Sequence, residues 1–319
     1  MDKPEKAIDI GPLAKAPGTG EPSVHAPLTL FLAIAALVVV FALPLFDLYR
    51  FAAGSALYSH ILLVPAISIA TIWLQRAELG RERFESARGI ALGLALGGAI
   101  VGLGGWTAPV RGVQLARQDA LAVTTLAFVL LVGSISAWYF GRAKLRRLRF
   151  PLAFLIFMVP FPIVAADAIE SFLQHGSAPV AYGFLKMAGT PVFRDGLLFE
   201  LPGIRLQIAP ECSGIHSSLV LFIVSLVAGH LFLRSPFRRL VLTVAVIPLA
   251  LVRNGFRVFT IGELCVRIGP QMIDSWVHRN GGPFFFVLSL VPFFLLLIWL
   301  VKNDRQGAGS RSTTGFKAV

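Results

Sequence analysis

The chain has 319 residues, of which 56% are hydrophobic and only 14% charged, and its mean hydropathy is +0.76. These values exclude a soluble globular domain, where about a quarter of residues carry charge, and call for an all-α, multi-pass membrane protein. The formal net charge of +12 would suit a nucleic-acid partner only if basic residues gathered on a folded soluble domain. They fall in short loops between apolar runs, so they orient the chain against anionic lipid and no nucleic-acid partner is expected.

A spanning helix needs about 20 apolar residues to cross a hydrocarbon core of about 30 Å. Eight spans are expected on that criterion, at about 27–48, 57–74, 89–108, 120–140, 150–166, 213–233, 240–261 and 283–302. Residues 1–26 are polar, with no short apolar core followed by a small-residue cleavage pattern, and read as a disordered cytoplasmic tail. Residues 27–302 form the transmembrane domain, and the Gly/Ser/Thr-rich residues 303–319 read as a second disordered cytoplasmic tail. An even number of spans puts both termini on one side. With that side cytoplasmic, it collects most of the 29 basic residues, including the loops Arg76 to Arg88, Arg142 to Arg149 and Arg234 to Arg239.

Along the chain, Gly93 and Gly97, then Gly98 and Gly102, are spaced four apart in the third span and predict close helix packing. Asp167, Glu170 and His175 follow the fifth span in an amphipathic stretch that faces water or headgroups, although either acid is able to orient His278. Asp195-Gly196 marks a turn, and the alternating Leu197 to Leu201 and Ile204 to Ile208 joined by Pro202-Gly203 predict a short extracytoplasmic β-hairpin before the sixth span. Its edge is suited to pair with an extended peptide, and a proline at Leu206 is expected to impair that role; the plainer alternative is a cap on the bundle.

That hairpin leads into Pro210-Glu211-Cys212-Ser213-Gly214-Ile215-His216-Ser217-Ser218, which places a thiol where a polar stretch meets an apolar run. A lone membrane cysteine is usually an inert apolar residue. Here Pro210 blocks helix before it, Ser213 and Gly214 allow close backbone approach, and the free amides opening the next helix favour a thiolate. Arg257, within Asn254-Gly-Phe-Arg257, lies near the outer end of the seventh span. An arginine there costs at least about 2.5 kcal/mol on insertion scales, and it has Arg253 and Asn254 for company on what reads as one stripe, beyond what snorkelling needs. His278, in His278-Arg-Asn-Gly-Gly282, precedes the eighth span; alone it reads as a solvated loop histidine.

The topology puts all three at the extracytoplasmic edge, and together they suit acyl transfer. Cys212 attacks a peptide carbonyl, His278 takes the thiol proton and returns it to the leaving amine, and Arg257 stabilises the oxyanion or holds the substrate. The six histidines and two cysteines contain no His-x-x-x-His pair or Cys-x-x-Cys clip, so no metal and no cofactor are expected. Cys265 falls on the same side and is able in principle to pair with Cys212, which would consume the nucleophile. His25 and His230 fall on the cytoplasmic side.

Pro-Glu-Cys212-Ser-Gly-Ile, Asn254-x-x-Arg257 and His278-x-x-x-Gly282 resemble, in order and spacing, the motifs of the exosortase/archaeosortase family of multi-pass membrane cysteine transpeptidases. Tyr58-Ser59-His60 resembles an early family element, and the resemblance covers roughly residues 40 to 300. It differs at His216, where Arg or Asn is frequent, and at Ile61, where Gly commonly follows. The resemblance implies catalytic Cys212, Arg257 and His278, with Asn254, Arg253, Ser213, Gly214, His216 and His60 binding substrate or supporting them. It also implies exported proteins with a C-terminal sorting signal as substrates, PEP-CTERM-like in one branch. The acceptor would be a membrane lipid or surface polymer, and the site of action the inner membrane. The alternatives are a transporter or channel holding an anion on Arg253, Asn254 and Arg257, and an export-system scaffold in which none of these residues reacts.

Overall fold

The computed structural model describes residues 26–79, 86–210, 213–275 and 281–313. Cys212, His278 and the N-terminal tail through His25 lie outside these residues. The chain is helical almost throughout. Helices α1 (Ala26–Val40) and α2 (Ala42–Ala53) form a pair bent by 70° and lead through a 3-10 turn, Ser59–Leu62, to α3 (Val64–Leu79). Then come α4 (Arg88–Thr107), α5 (Arg117–Phe154) and α6 (Ile163–Met187). After a small sheet follow α7 (Ile215–Phe232), α8 (Pro236–Val244), α9 (Val246–Arg267) and α10 (Gly282–Thr313).

Among the described residues, six helical runs are long and apolar enough to cross a membrane, or seven if the bent pair α1–α2 counts as one. The expected count of eight is not reached this way, because the fourth expected span and the first half of the fifth fall within one helical run, Arg117–Met158. Inside that run Gly141 leaves helical geometry at φ 70°, ψ 179°. The Gln118 side chain donates to the Phe161 carbonyl at 2.7 Å, and the Ile163 amide donates to Asp119 Oδ1 at 2.9 Å. A straight helix of that length would separate those residues by roughly 60 Å, so the chain doubles back at Gly141. The next helix, α6, carries Asp167, Glu170, His175 and Lys186 and is not among the apolar runs. Asp167 and His175 are exposed.

The Gly-rich helix α4 packs against α5 as its spacing predicts, with Gly98 facing Leu131 and the Ala127 carbonyl; Gly93 faces open space. The expected hairpin is present as β2 (Leu198–Leu201) and β3 (Ile204–Gln207), closed by Pro202-Gly203. A further strand, β1 (Phe193–Asp195), pairs antiparallel with β2, so the order is β1-β2-β3. Phe199, Leu201 and Leu206 are buried with Ala178, Ala181 and Leu185 of α6 and Val258, Ile261 and Cys265 of α9. Leu206 therefore belongs to the core beneath the sheet, and a proline there would disturb that core along with the strand edge.

Helices α6 and α9 run parallel and in close contact. Leu251 lies over Gly176, Asn254 meets Ser177, Gly255 sits against Val180, and Gly262 faces Leu185. A Cβ at Gly255 would stand 2.7 Å from Val180 Cγ1 and 3.0 Å from the Ala181 amide nitrogen, so this approach needs a residue without a side chain.

Candidate functional site

The sheet hands the chain to α7 through a fixed path. The Ile208 amide donates to the Leu197 carbonyl at 3.1 Å, and Gln174 of α6, itself buried, donates its side-chain NH2 to the Ile208 carbonyl at 3.2 Å. Beyond residues 211 and 212 the Ser213 amide returns to the Pro210 carbonyl at 3.0 Å, and Ser213 is buried to 1% exposure. Gly214 then caps α7 in the left-handed conformation, at φ 72° and ψ 18°. Both described flanks of Cys212 are thus held by hydrogen bonds.

Gly214 meets the Asn-x-x-Arg segment of α9 directly. Arg253 Nη2 donates to the Gly214 carbonyl at 3.0 Å and to Ser218 Oγ at 2.9 Å, while Ser218 Oγ donates to the same carbonyl at 2.8 Å. The three groups close a ring that joins α9 to the first turn of α7. A Cβ at Gly214 would lie 2.9 Å from Arg253 Nη2 and 3.0 Å from Asn254 Oδ1. Arg253 and Asn254 are both buried, at 7% and 2% exposure.

Asn254 borders Gly214 with its Oδ1 but donates elsewhere. Its Nδ2 donates to Ser177 Oγ at 2.9 Å, and Ser177 Oγ donates to the Leu173 carbonyl at 2.6 Å. Successive helical residues point about 100° apart, so Arg253 reaches α7 and Asn254 reaches α6. The expected single stripe is corrected accordingly: this pair of neighbours joins three helices. Arg257, one turn further along α9, is half-buried.

His60 is buried in the 3-10 turn, with Nδ1 3.0 Å from the Leu57 carbonyl, and it lies within electrostatic range of His216. His216, on the first turn of α7, is in turn within range of Arg253. His278 lies outside the described residues, but the helix that follows it is placed: Phe285, in the first turn of α10, packs edge-on against Phe256, between Arg253 and Arg257, with ring centroids 6.1 Å apart. Cys265 is a free, buried thiol beneath the sheet, which removes the disulfide that the sequence leaves open.

The family described as Transmembrane exosortase (Exosortase_EpsH) matches residues 52–295, a stretch containing every contact just described. The chain belongs to the transmembrane exosortase family. No curated protein and no solved structure matches it. An exosortase is a membrane-embedded sorting transpeptidase of the cysteine type that acts on exported proteins.

Two residues of this exosortase escaped the sequence reading of the site, and a third, Ser218, stood in the cysteine segment without an assigned role. Ser177 and Gln174 of α6 hold Asn254 and the Ile208 carbonyl, and Ser218 completes the Arg253 ring. Their signal was faint. Each is a small or neutral polar residue in a helix, and what marks it is its partner on an element far away in sequence. A cavity of about 310 Å³ between Phe157, Phe172, Ile215 and Ile247 reaches Ser218, and a second of about 200 Å³ between Phe184, Phe285 and Pro292 reaches Arg253. Apolar surface therefore borders the polar cluster on two sides.

Proposed function

We propose that this exosortase cleaves a C-terminal sorting signal on exported proteins through a thioester on Cys212 and passes the new C-terminus to an acceptor. The observation that supports this best is the contact of the Gly214 carbonyl with Arg253. It joins the segment that follows Cys212 to the helix that carries Arg257, across 39 residues of sequence. The packing of Phe285 on Phe256 brings the helix following His278 to the same level.

In the reaction, the Cys212 thiol gives its proton to His278 and the thiolate attacks the carbonyl carbon of the scissile peptide. Arg257 balances the oxyanion that forms. As the C–N bond breaks, the imidazolium returns its proton to the leaving amine. A nucleophile on the acceptor then displaces the thiol from the thioester. Arg253 acts as a positioning residue, since its hydrogen bonds go to the α7 cap, and Asn254 holds α9 against α6. His216 and His60 extend the polar surface beyond Arg253.

The chain crosses the inner membrane eight times, counting the bent α1–α2 pair as one pass and the doubled-back run through Gly141 as two. Both termini are cytoplasmic and the start of α7 faces outward. The sheet presents the β3 edge to an extended, PEP-CTERM-like peptide leading to Cys212. The acceptor is a membrane lipid or a surface polymer. An anion transporter is the less favoured reading, because Arg253 Nη2 and Asn254 Nδ2 donate to protein groups.

The test is cleavage of a co-expressed substrate carrying a sorting signal. Cys212→Ser is expected to abolish processing while membrane insertion stays normal, and His278→Ala to abolish it before any adduct forms, whereas the unaltered protein deprived of acceptor should carry a substrate-sized adduct on Cys212 by mass spectrometry. Undiminished processing by Cys212→Ser would end this reading.

A further inference from the structure

A second polar site lies at the far end of α7. With 18 residues, α7 carries its last residue about 27 Å from its first, so this end is on the opposite face of the bundle from Gly214. A cavity of about 560 Å³ opens there between α7, α8 and α10, and His230, Arg234, Arg239 and Asp304 line it. Directly beside it an apolar groove of about 630 Å³ follows α10 along Phe294, Leu297 and Ile298 and runs past Lys302 to Gln306. Phe232 and Val301 line both, so the charged cavity continues into the groove.

The charges around the cavity do not balance. Arg238 forms an ion pair with Asp304, whose other oxygen accepts the Arg234 amide at 2.7 Å, so the one carboxylate among the described lining residues is already engaged. Arg234 and Lys302 are exposed. Arg239 spends its Nε on the Leu233 carbonyl at 2.8 Å and lies close enough to Arg149 to be repelled by it. Among the described residues the cavity therefore gathers cations at the level where the apolar run of α10 ends, which is where phosphates stand in a bilayer. The groove supplies what a soluble anion would not use: Phe232, Phe294 and Ile298 are 59%, 47% and 62% exposed.

We propose that this cleft binds one anionic phospholipid, with its phosphate on Arg234 and Arg239 and an acyl chain along Phe232, Phe294 and Ile298. The site is independent of the transpeptidase reaction. It would tie α7, whose first turn carries the Arg253 ring, to the composition of the opposite leaflet.

The experiment is native mass spectrometry of the full chain in detergent, titrated with dioleoyl phosphatidylglycerol, dioleoyl phosphatidylcholine or inorganic phosphate. Phosphatidylglycerol is expected to remain bound where phosphatidylcholine and phosphate do not. Arg234→Gln with Arg239→Gln should weaken retention on the order of ten- to thirty-fold, from about 1 kcal/mol per cation. The hydrogen bond of Arg239 to Leu233 puts that variant at some risk of misfolding. Arg234→Gln with Lys302→Gln changes exposed side chains only and should weaken retention in the same sense, and Ile298→Trp should do so with every charge in place. Equal retention of the two lipids, retention unaltered in the Arg234/Lys302 variant, or phosphate binding as tightly as the lipid would overturn the proposal.

Discussion

At the scale of single residues, Gly214 has little freedom. A side chain there would need the left-handed conformation, which costs an L-residue roughly 1–2 kcal/mol, and its Cβ would press on both Arg253 and Asn254. Gly214→Ala should therefore cut processing sharply with the protein still inserted, and should lower stability by about 1–3 kcal/mol in thermal unfolding in detergent. Arg253 gives a graded comparison. Lysine keeps the charge but has one nitrogen where the guanidinium spans the Gly214 carbonyl and Ser218, while glutamine loses the charge as well. Processing should fall in the order Arg, Lys, Gln, mainly through kcat, as befits a residue that positions the α7 cap; a change confined to KM would argue for substrate binding instead.

At the scale of elements, the pairing of α6 with α9 sets where Asn254 and Arg257 stand. Gly255→Val would overpack that contact by about 1–3 kcal/mol, since Val180 and the Ala181 amide already occupy the space. Adding Val180→Ala should restore part of both stability and processing. If the double variant is no better than the single one, the two helices do not couple through this contact. The sheet was legible from alternation and turn residues up to a point. Leu197 to Ile208 reads as a hairpin, but β1 was missed because three residues, Phe193–Asp195, are too few to show a period of two.

At the scale of the whole molecule, the expectation that needs testing is direction across the membrane. In a Cys212→Ser background the remaining thiol, Cys265, is buried, so an introduced cysteine reports its own exposure. Gly196→Cys should react with a membrane-impermeant thiol reagent in intact spheroplasts, and Arg238→Cys only after lysis. The reverse pattern would place the Gly214 face on the cytoplasmic side and remove the extracytoplasmic site.

Membrane class, helical character and the polar segments are properties of local composition, and the amino-acid sequence by itself determined them: an apolar run of twenty residues has few alternatives to a helix in lipid. Motif order gave the family as a resemblance, which the match over residues 52–295 bears out. What only the tertiary structure decided depends on partners distant in sequence. The retreat of the chain at Gly141, the division of labour between Arg253 and Asn254, and the parts played by Ser177, Gln174 and Ser218 follow from which helices lie side by side. Periodicity within one helix carries no information about its neighbour, because packing is chosen by the fit of two surfaces and each segment encodes only one of them.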